Sequence, residues 1–219
     1  MELNKKTINF LGDSITEGEG VDDIAYRYDC IIKEQCGLIA ANNYGISGTR
    51  IAHQTVPSDI PRHDLYFCGR AYEMNKDVDI VVVFGGTNDY GHGDAPFGKL
   101  TDKTPATFCG AVDFLMRLLK DLYEDKTIIF MTPARRFGDM QPSMGKVRTV
   151  DAHVLRDYVD VIVEKGAEHN IPVLDLYDNL GINPNNDEDR INYTADGLHL
   201  NEAGHKKLAQ CLINFIRKI

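Results

Sequence analysis

Ile80-Val81-Val82-Val83-Phe84-Gly85-Gly86-Thr87-Asn88-Asp89 is an unbroken apolar run that ends abruptly on two glycines and a polar turn. With no polar position to face water from Ile80 to Phe84, the stretch Asp79 to Phe84 reads as a strand buried on both faces. That pattern belongs to a parallel sheet covered by helices rather than to a half-exposed antiparallel one. Four other runs fit the same reading: Thr7 to Leu11, Leu38 to Tyr44, Thr127 to Met131 and Ile171 to Leu176. The segments between them carry helical spacing. Ile24, Tyr28 and Ile32 recur within Asp22 to Cys36, and Phe108, Val112, Leu115, Leu119 and Leu122 form a stripe after a Thr104-Pro105 start signal. Val147, Val150, Val154, Tyr158 and Val161 mark a helix that loosens near Gly166. Leu208, Cys211, Leu212, Phe215 and Ile216 mark a last one, capped by Asn201. Strands and helices alternating in this way predict an α/β fold around a central parallel sheet of about five strands. No repeat, low-complexity tract or Pro/Gly-rich linker divides residues 1–219, so one domain is expected.

The irregular stretches Gly45 to Arg62, Gly85 to Lys103, Ala134 to Lys146 and Tyr177 to Leu198 each follow an expected strand. They therefore lie at the carboxyl edge of the sheet, where open α/β folds bind ligands. After the first strand, Gly12-Asp13-Ser14 leaves a serine hydroxyl on a tight turn. Such a hydroxyl becomes a nucleophile only when a base takes its proton, and acyl transfer also needs donors aimed at the developing oxyanion. Asp196-Gly197-Leu198-His199 offers His199 as the base, with Asp196 three residues earlier to fix its tautomer. Donor candidates are the backbone N–H of Gly48, in Tyr44-Gly45-Ile46-Ser47-Gly48-Thr49, and the side-chain amide of Asn88. Each piece alone is an ordinary turn or helix start. Their joint occurrence at separate strand ends points to an enzyme.

Gly12-Asp13-Ser14, Gly48, Gly85-Gly86-Thr87-Asn88-Asp89 and Asp196-Gly197-Leu198-His199 resemble, in order, the four blocks of the SGNH hydrolases, also called GDSL esterases and lipases. The resemblance implies a flavodoxin-like three-layer α/β/α sandwich. It also implies Ser14 as nucleophile, His199 as base and Asp196 as its orienting acid. The oxyanion hole would be formed by the Ser14 N–H, the Gly48 N–H and the Asn88 side chain, with no cofactor or metal. Ile15 stands where the family's name has leucine, a volume-conserving change. The chain looks more like the compact microbial esterases than the longer secreted plant lipases.

Other residues near these blocks invite roles. His92 lies in the loop after the third strand and is a rival base or a substrate contact; Asp13, Arg135 and Arg136 are further candidates for touching substrate. His53, His63, His153, His169 and His205 have no partner visible in sequence and read as solvent-facing or structural.

Composition narrows the function classes. A net charge of −9 with scattered Lys and Arg argues against nucleic acid and anionic membranes as partners. Five cysteines without a CxxC pair suggest neither a disulfide framework nor a zinc knuckle, and read as reduced, mostly buried side chains. The apolar segment after the polar Met1 to Lys6 is too short for a signal peptide or membrane span, so cytoplasmic residence is expected. No Gly-x-Ser-x-Gly elbow occurs, which argues against an α/β-hydrolase. The expectation is a serine esterase acting on a small-molecule ester, removing a small acyl group, acetyl by preference, from a carbohydrate or similar compound. Because the base must be neutral, its rate should fall as pH drops through roughly 6 to 7. The alternatives are a lipase, lysophospholipase or thioesterase for longer chains, a metal-dependent phosphoesterase built on Asp13, Asn88 and His199, and a non-catalytic binder of acylated sugars. Oligomeric state is not legible in the sequence.

Overall fold

A computed structural model describes residues 1–142 and 153–219. Its strands are β1 (Thr7–Gly12), β2 (Ala40–Gly45), β3 (Ile80–Phe84), β4 (Thr127–Met131) and β5 (Val173–Leu174). The helices among the described residues, in chain order, are α1 (Ser14–Glu17), α2 (Tyr28–Cys36), α3 (Phe67–Arg70), α4 (Thr87–His92), α5 (Phe108–Leu122), α6 (Leu155–His169), α7 (Leu176–Asn179), α8 (Asp187–Tyr193) and α9 (Glu202–Ile216). All strand pairs are parallel and the sheet order is β2-β1-β3-β4-β5. The chain begins near the middle of the sheet, leaves toward β2, then crosses back over β1 to β3. Connections diverge on either side of β1, which opens a crevice beyond the carboxyl ends of β1 and β3. Gly12 pairs with both Gly45 and Phe84, so three strands end level beneath that crevice.

Alternation along the strands divides the core into two layers. Ile8, Phe10, Ile80, Val82, Phe84, Ile129 and Met131 face α2 and α9, meeting Ile32, Leu208, Leu212 and Ile216. Leu11, Val81, Val83, Ile128 and Phe130 face the other way, onto Phe67 of α3, Val112, Leu115 and Leu119 of α5, and Tyr158 and Ile162 of α6. The result is the three-layer α/β/α sandwich. Each fully buried aliphatic or aromatic side chain in these layers contributes about 1.5–3 kcal/mol of transfer free energy. No helix among the described residues is long and apolar enough to cross a membrane.

The five strands lie where the sequence places them, to within two residues at either end, and Asn201 caps α9 through Gly204 N–H. Several local readings are corrected. Ile24 is 63% exposed, in a separate 3₁₀ turn at Ile24–Tyr26, and the helix starts only at Tyr28. The cap of α5 is Thr107, whose hydroxyl accepts from Gly110 N–H at 3.1 Å. Thr104-Pro105 loses that role because the N–H groups of Phe108 and Cys109 donate to the carbonyls of Pro96 and Phe97. Far from loosening, α6 runs through Gly166 to His169; there a Cβ would lie 2.2 Å from Val173 Cγ2, so the glycine lets the helix press on β5. Val147 and Val150 lie outside the described residues.

Candidate active site

The nucleophile candidate is placed by a cap. Asp13 turns inward, is 1% exposed, and its carboxylate accepts the Ile15 N–H at 3.1 Å, starting α1 with Ser14 at its first position. The helix can sit there because β2 ends in glycine: a Cβ on Gly45 would lie 2.2 Å from the Glu17 nitrogen. Burial pushes the Asp13 carboxyl up to about 7, and the Ile15 N–H and His199 only partly oppose it. Asp13 therefore serves the turn rather than lining the cleft.

His199 reaches Ser14 from the opposite end of the chain. Its Nε2 lies 3.0 Å from Ser14 Oγ, and its Nδ1 lies 2.7 Å from Asp196 Oδ2. Asp196 Oδ1 accepts the backbone N–H groups of Leu198, at 2.9 Å, and His199, at 2.8 Å. Burial works to raise the Asp196 carboxyl, but the bonds from His199 and the two backbone donors outweigh it and hold it below the ordinary carboxylate range. The supporting loop is pinned independently. Ala195 N–H donates to His199 O at 2.8 Å, Gly197 N–H to Thr194 Oγ1 at 3.0 Å, and Phe137 N–H to Gly197 O at 2.7 Å.

The donor candidates converge on the same place. Gly48 has φ +75°, and the His63 ring packs so closely that a Cβ would lie 2.4 Å from its Cδ2. Asn88 is 4% exposed; its Nδ2 donates to Thr49 O at 3.0 Å and its Oδ1 lies 3.2 Å from His92 Nε2. Asp89 accepts the N–H groups of Ile51 and Ala52, both at 2.9 Å, which latches the loop bearing Gly48 to the helix bearing Asn88. Ser14, Gly48, Asn88 and His199 open on one cleft of about 300 Å³, together with Glu19, Ser47, His63, His92 and Arg136. Leu198 is the one large apolar side chain among its described walls. A larger cleft of about 580 Å³, between β5 and α9, holds no serine–histidine–carboxylate arrangement.

Of the two adjacent arginines, Arg136 lines this cleft. Arg135 instead pairs with Asp139 at 3.1 Å, lies over the Tyr177 ring and faces a different depression, which corrects the reading of it as a substrate contact. His92 does line the cleft, but its ring nitrogens meet Arg50 and Asn88. The metal alternative needs Asp13, Asn88 and His199 to converge, and Asp13 is buried in the turn and does not line the cleft that Asn88 and His199 share. Among the described residues, the acidic and histidine groups close enough to share an ion are Asp113, Glu168 and His169. There Lys103, Arg117 and Lys165 already neutralise Asp113.

Sequence reading missed two organisers of the site. Arg70, 9% exposed, donates to the carbonyls of Gly12 and Leu65, the Thr49 hydroxyl and the Tyr44 carbonyl, tying the ends of β1 and β2 to the Gly48 loop. Burial lowers its guanidinium to about 10 against the pull of Asp13. Glu17 accepts Ser47 N–H at 2.6 Å and pairs with Arg62. Neither carries a local signal, since each is an isolated charge on a short helix.

Residues 10–207 match the GDSL-like Lipase/Acylhydrolase family. The chain belongs to this family. Two solved structures share this fold over nearly their whole length. One is 28% identical with a TM-score of 0.86, covering 100% of this chain and 99% of the other. The second, a protein from Lactobacillus plantarum, is 29% identical with a TM-score of 0.83, covering 98% of both chains. A member of the lipolytic protein G-D-S-L family from Veillonella parvula, 21% identical, shows the same fold at a TM-score of 0.59, over 97% of this chain and 99% of its own. No curated protein sequence matches the chain. Membership makes this GDSL-like protein an ester hydrolase.

Proposed function

We propose that this GDSL-like acylhydrolase, acting as one domain, is a serine esterase that removes a small acyl group, acetyl by preference, from a carbohydrate or another small polar molecule. The observation that carries the reading is the hydrogen-bonded chain Ser14 Oγ–His199 Nε2 (3.0 Å) and His199 Nδ1–Asp196 Oδ2 (2.7 Å). In the acylation step Ser14 Oγ attacks the ester carbonyl carbon while His199 Nε2 takes the hydroxyl proton. As the carbon–oxygen bond to the alcohol breaks, His199 returns that proton to the departing oxygen. Water then attacks the acyl-enzyme carbonyl, giving a proton to His199, and as the bond from that carbon to Ser14 Oγ breaks His199 returns the proton to Oγ and the carboxylic acid leaves. Asp196, held below the ordinary carboxylate range, stays anionic beside the imidazolium. The N–H groups of Ser14 and Gly48 and the Asn88 amide receive the oxyanion. Short acyl groups suit the cleft because its volume of about 300 Å³ leaves little room for a long chain, and polar alcohols suit it because Glu19, Ser47, His63 and Arg136 stand in its walls.

The test is hydrolysis of short- and long-chain chromogenic esters and of acetylated sugars by wild type, Ser14→Ala and His199→Ala, with and without a chelator. Wild-type turnover highest for acetyl, lost in both variants and indifferent to chelation, is the expected result. Unchanged turnover in Ser14→Ala would overturn the nucleophile assignment. Loss on chelation would favour the metal-dependent phosphoesterase, and a preference for long chains the lipase.

A further inference from the structure

The two ring nitrogens of His92 touch groups of known hydrogen-bonding sense. Nδ1 lies 3.0 Å from Arg50 Nη1, and a guanidinium can only donate, so Nδ1 must be an unprotonated acceptor. The ring proton of the neutral imidazole therefore sits on Nε2, which lies 3.2 Å from Asn88 Oδ1. Asn88 and His92 are four residues apart on α4, which brings the two side chains together on one face. Arg50 is itself fixed: it is 4% exposed, and its Nη2 donates to Asp64 Oδ1 at 2.9 Å and to His63 O at 3.2 Å. The result is a continuous chain, Asp64–Arg50–His92–Asn88, ending on the carbonyl of Thr49.

We propose that His92 is a positioning residue for the oxyanion donor: Arg50 sets its tautomer, and His92 Nε2–H holds the Asn88 amide in the orientation that leaves one N–H for the cleft. The proposal rests on the reading of Asn88 as an oxyanion donor. An amide turned over about its last bond would point its oxygen at the Thr49 carbonyl and its NH2 at the His92 N–H, two like-against-like contacts. With both ends satisfied, the remaining Nδ2 hydrogen is the only uncommitted donor of the group. A donor held in place before the substrate arrives needs no reorganisation when the oxyanion forms. The same bonds remove His92 from contention as a base, because its single lone pair already accepts from Arg50. Consistently, burial, Arg50, His63 and Arg136 together press the imidazole down to about 4, so the ring stays neutral across the working range of an esterase.

Two measurements decide the matter. Long-range proton–nitrogen NMR on the whole protein reads the His92 tautomer without any substrate; Nε2–H at neutral pH is expected, and Nδ1–H or a doubly protonated ring would overturn the proposal. In ester hydrolysis, His92→Ala should lower kcat about tenfold with KM unchanged, a fraction of the 10²–10³ typical of deleting an oxyanion donor outright. His92→Gln should recover most of that loss, since its amide can donate to Asn88 and accept from Arg50. In an Asn88→Ala background, His92→Ala should add nothing. A merely structural histidine would instead cost the same in both backgrounds. An active wild type whose His92→Ala variant keeps its kcat removes this proposal alone, whereas a wild type that hydrolyses no ester removes the esterase reading and this one with it.

Discussion

Replacing Asp196 by asparagine should damage catalysis more than replacing it by alanine. The carboxylate does two jobs on separate oxygens. Oδ1 accepts the N–H groups of Leu198 (2.9 Å) and His199 (2.8 Å), and Oδ2 accepts His199 Nδ1–H (2.7 Å). An amide has a single oxygen to offer. Left on the two backbone donors, it turns NH2 toward His199 Nδ1, which must then accept, and the ring proton moves to Nε2, facing Ser14 Oγ at 3.0 Å. In that tautomer the ring cannot take the serine proton. The opposite orientation keeps the working tautomer but sets NH2 against two backbone N–H groups and forfeits both bonds. At about 1 kcal/mol for each bond the disabling orientation is favoured by about 2 kcal/mol, or about thirtyfold. Alanine forfeits the same anionic support for the imidazolium yet imposes no tautomer. The asparagine variant should therefore show kcat/KM about thirtyfold below the alanine variant on a short-chain ester. Thermal melts should confirm that both remain folded, because the Ala195–His199 and Gly197–Thr194 hydrogen bonds still hold the loop. An asparagine variant as active as the alanine variant would refute the reasoning.

Gly48→Ala should cost about 1–2 kcal/mol of stability from the positive φ alone, and its Cβ would meet the His63 ring, so the turn must shift. Displacing that N–H from the oxyanion should lower kcat about 10²–10³-fold; melts and steady-state kinetics check both, and an unchanged kcat would exclude Gly48 as a donor. His205 is fully buried, with Tyr28 N–H donating to its Nδ1 at 3.2 Å, and burial lowers it to about 4. A folded-state histidine pKa below the unfolded value means the unfolded chain binds the proton first. Stability is therefore lost as pH falls from about 6.5 to about 4, to the order of 3 kcal/mol. Urea denaturation of wild type and His205→Asn across that range should show the variant gaining on the wild type as pH falls; a constant gap would count against it.

The strands were legible because burial on both faces leaves its mark at every position of Ile80 to Phe84, and helix α5 because Phe108, Val112, Leu115 and Leu119 repeat at helical spacing. Local patterns failed where a distant group decided the outcome. Thr104-Pro105 has the chemistry of a cap, but carbonyls at Pro96 and Phe97 satisfy the first N–H groups of the helix a turn later. Ile24 continues the periodicity of Tyr28 and Ile32 yet lies in a separate turn facing solvent. Arg135 and Arg136 are neighbours in sequence, and the backbone sends one to Asp139 and the other to the Ser14 cleft.

By itself the sequence determined the parallel sheet and the placing of Ser14, Gly48 and Asn88 just beyond the ends of β1, β2 and β3, because strand periodicity and abrupt glycine turns are written in adjacent residues. Only the tertiary structure decided which of these groups meet. Ser14 and His199 are separated by 185 positions, and Arg50 and His92 by 42. Their contacts depend on strand order, on the level at which β1, β2 and β3 end, and on buried tethers such as Arg70. No local pattern encodes these, since a hydrogen bond across loops is set by the paths of both backbones and not by either segment alone.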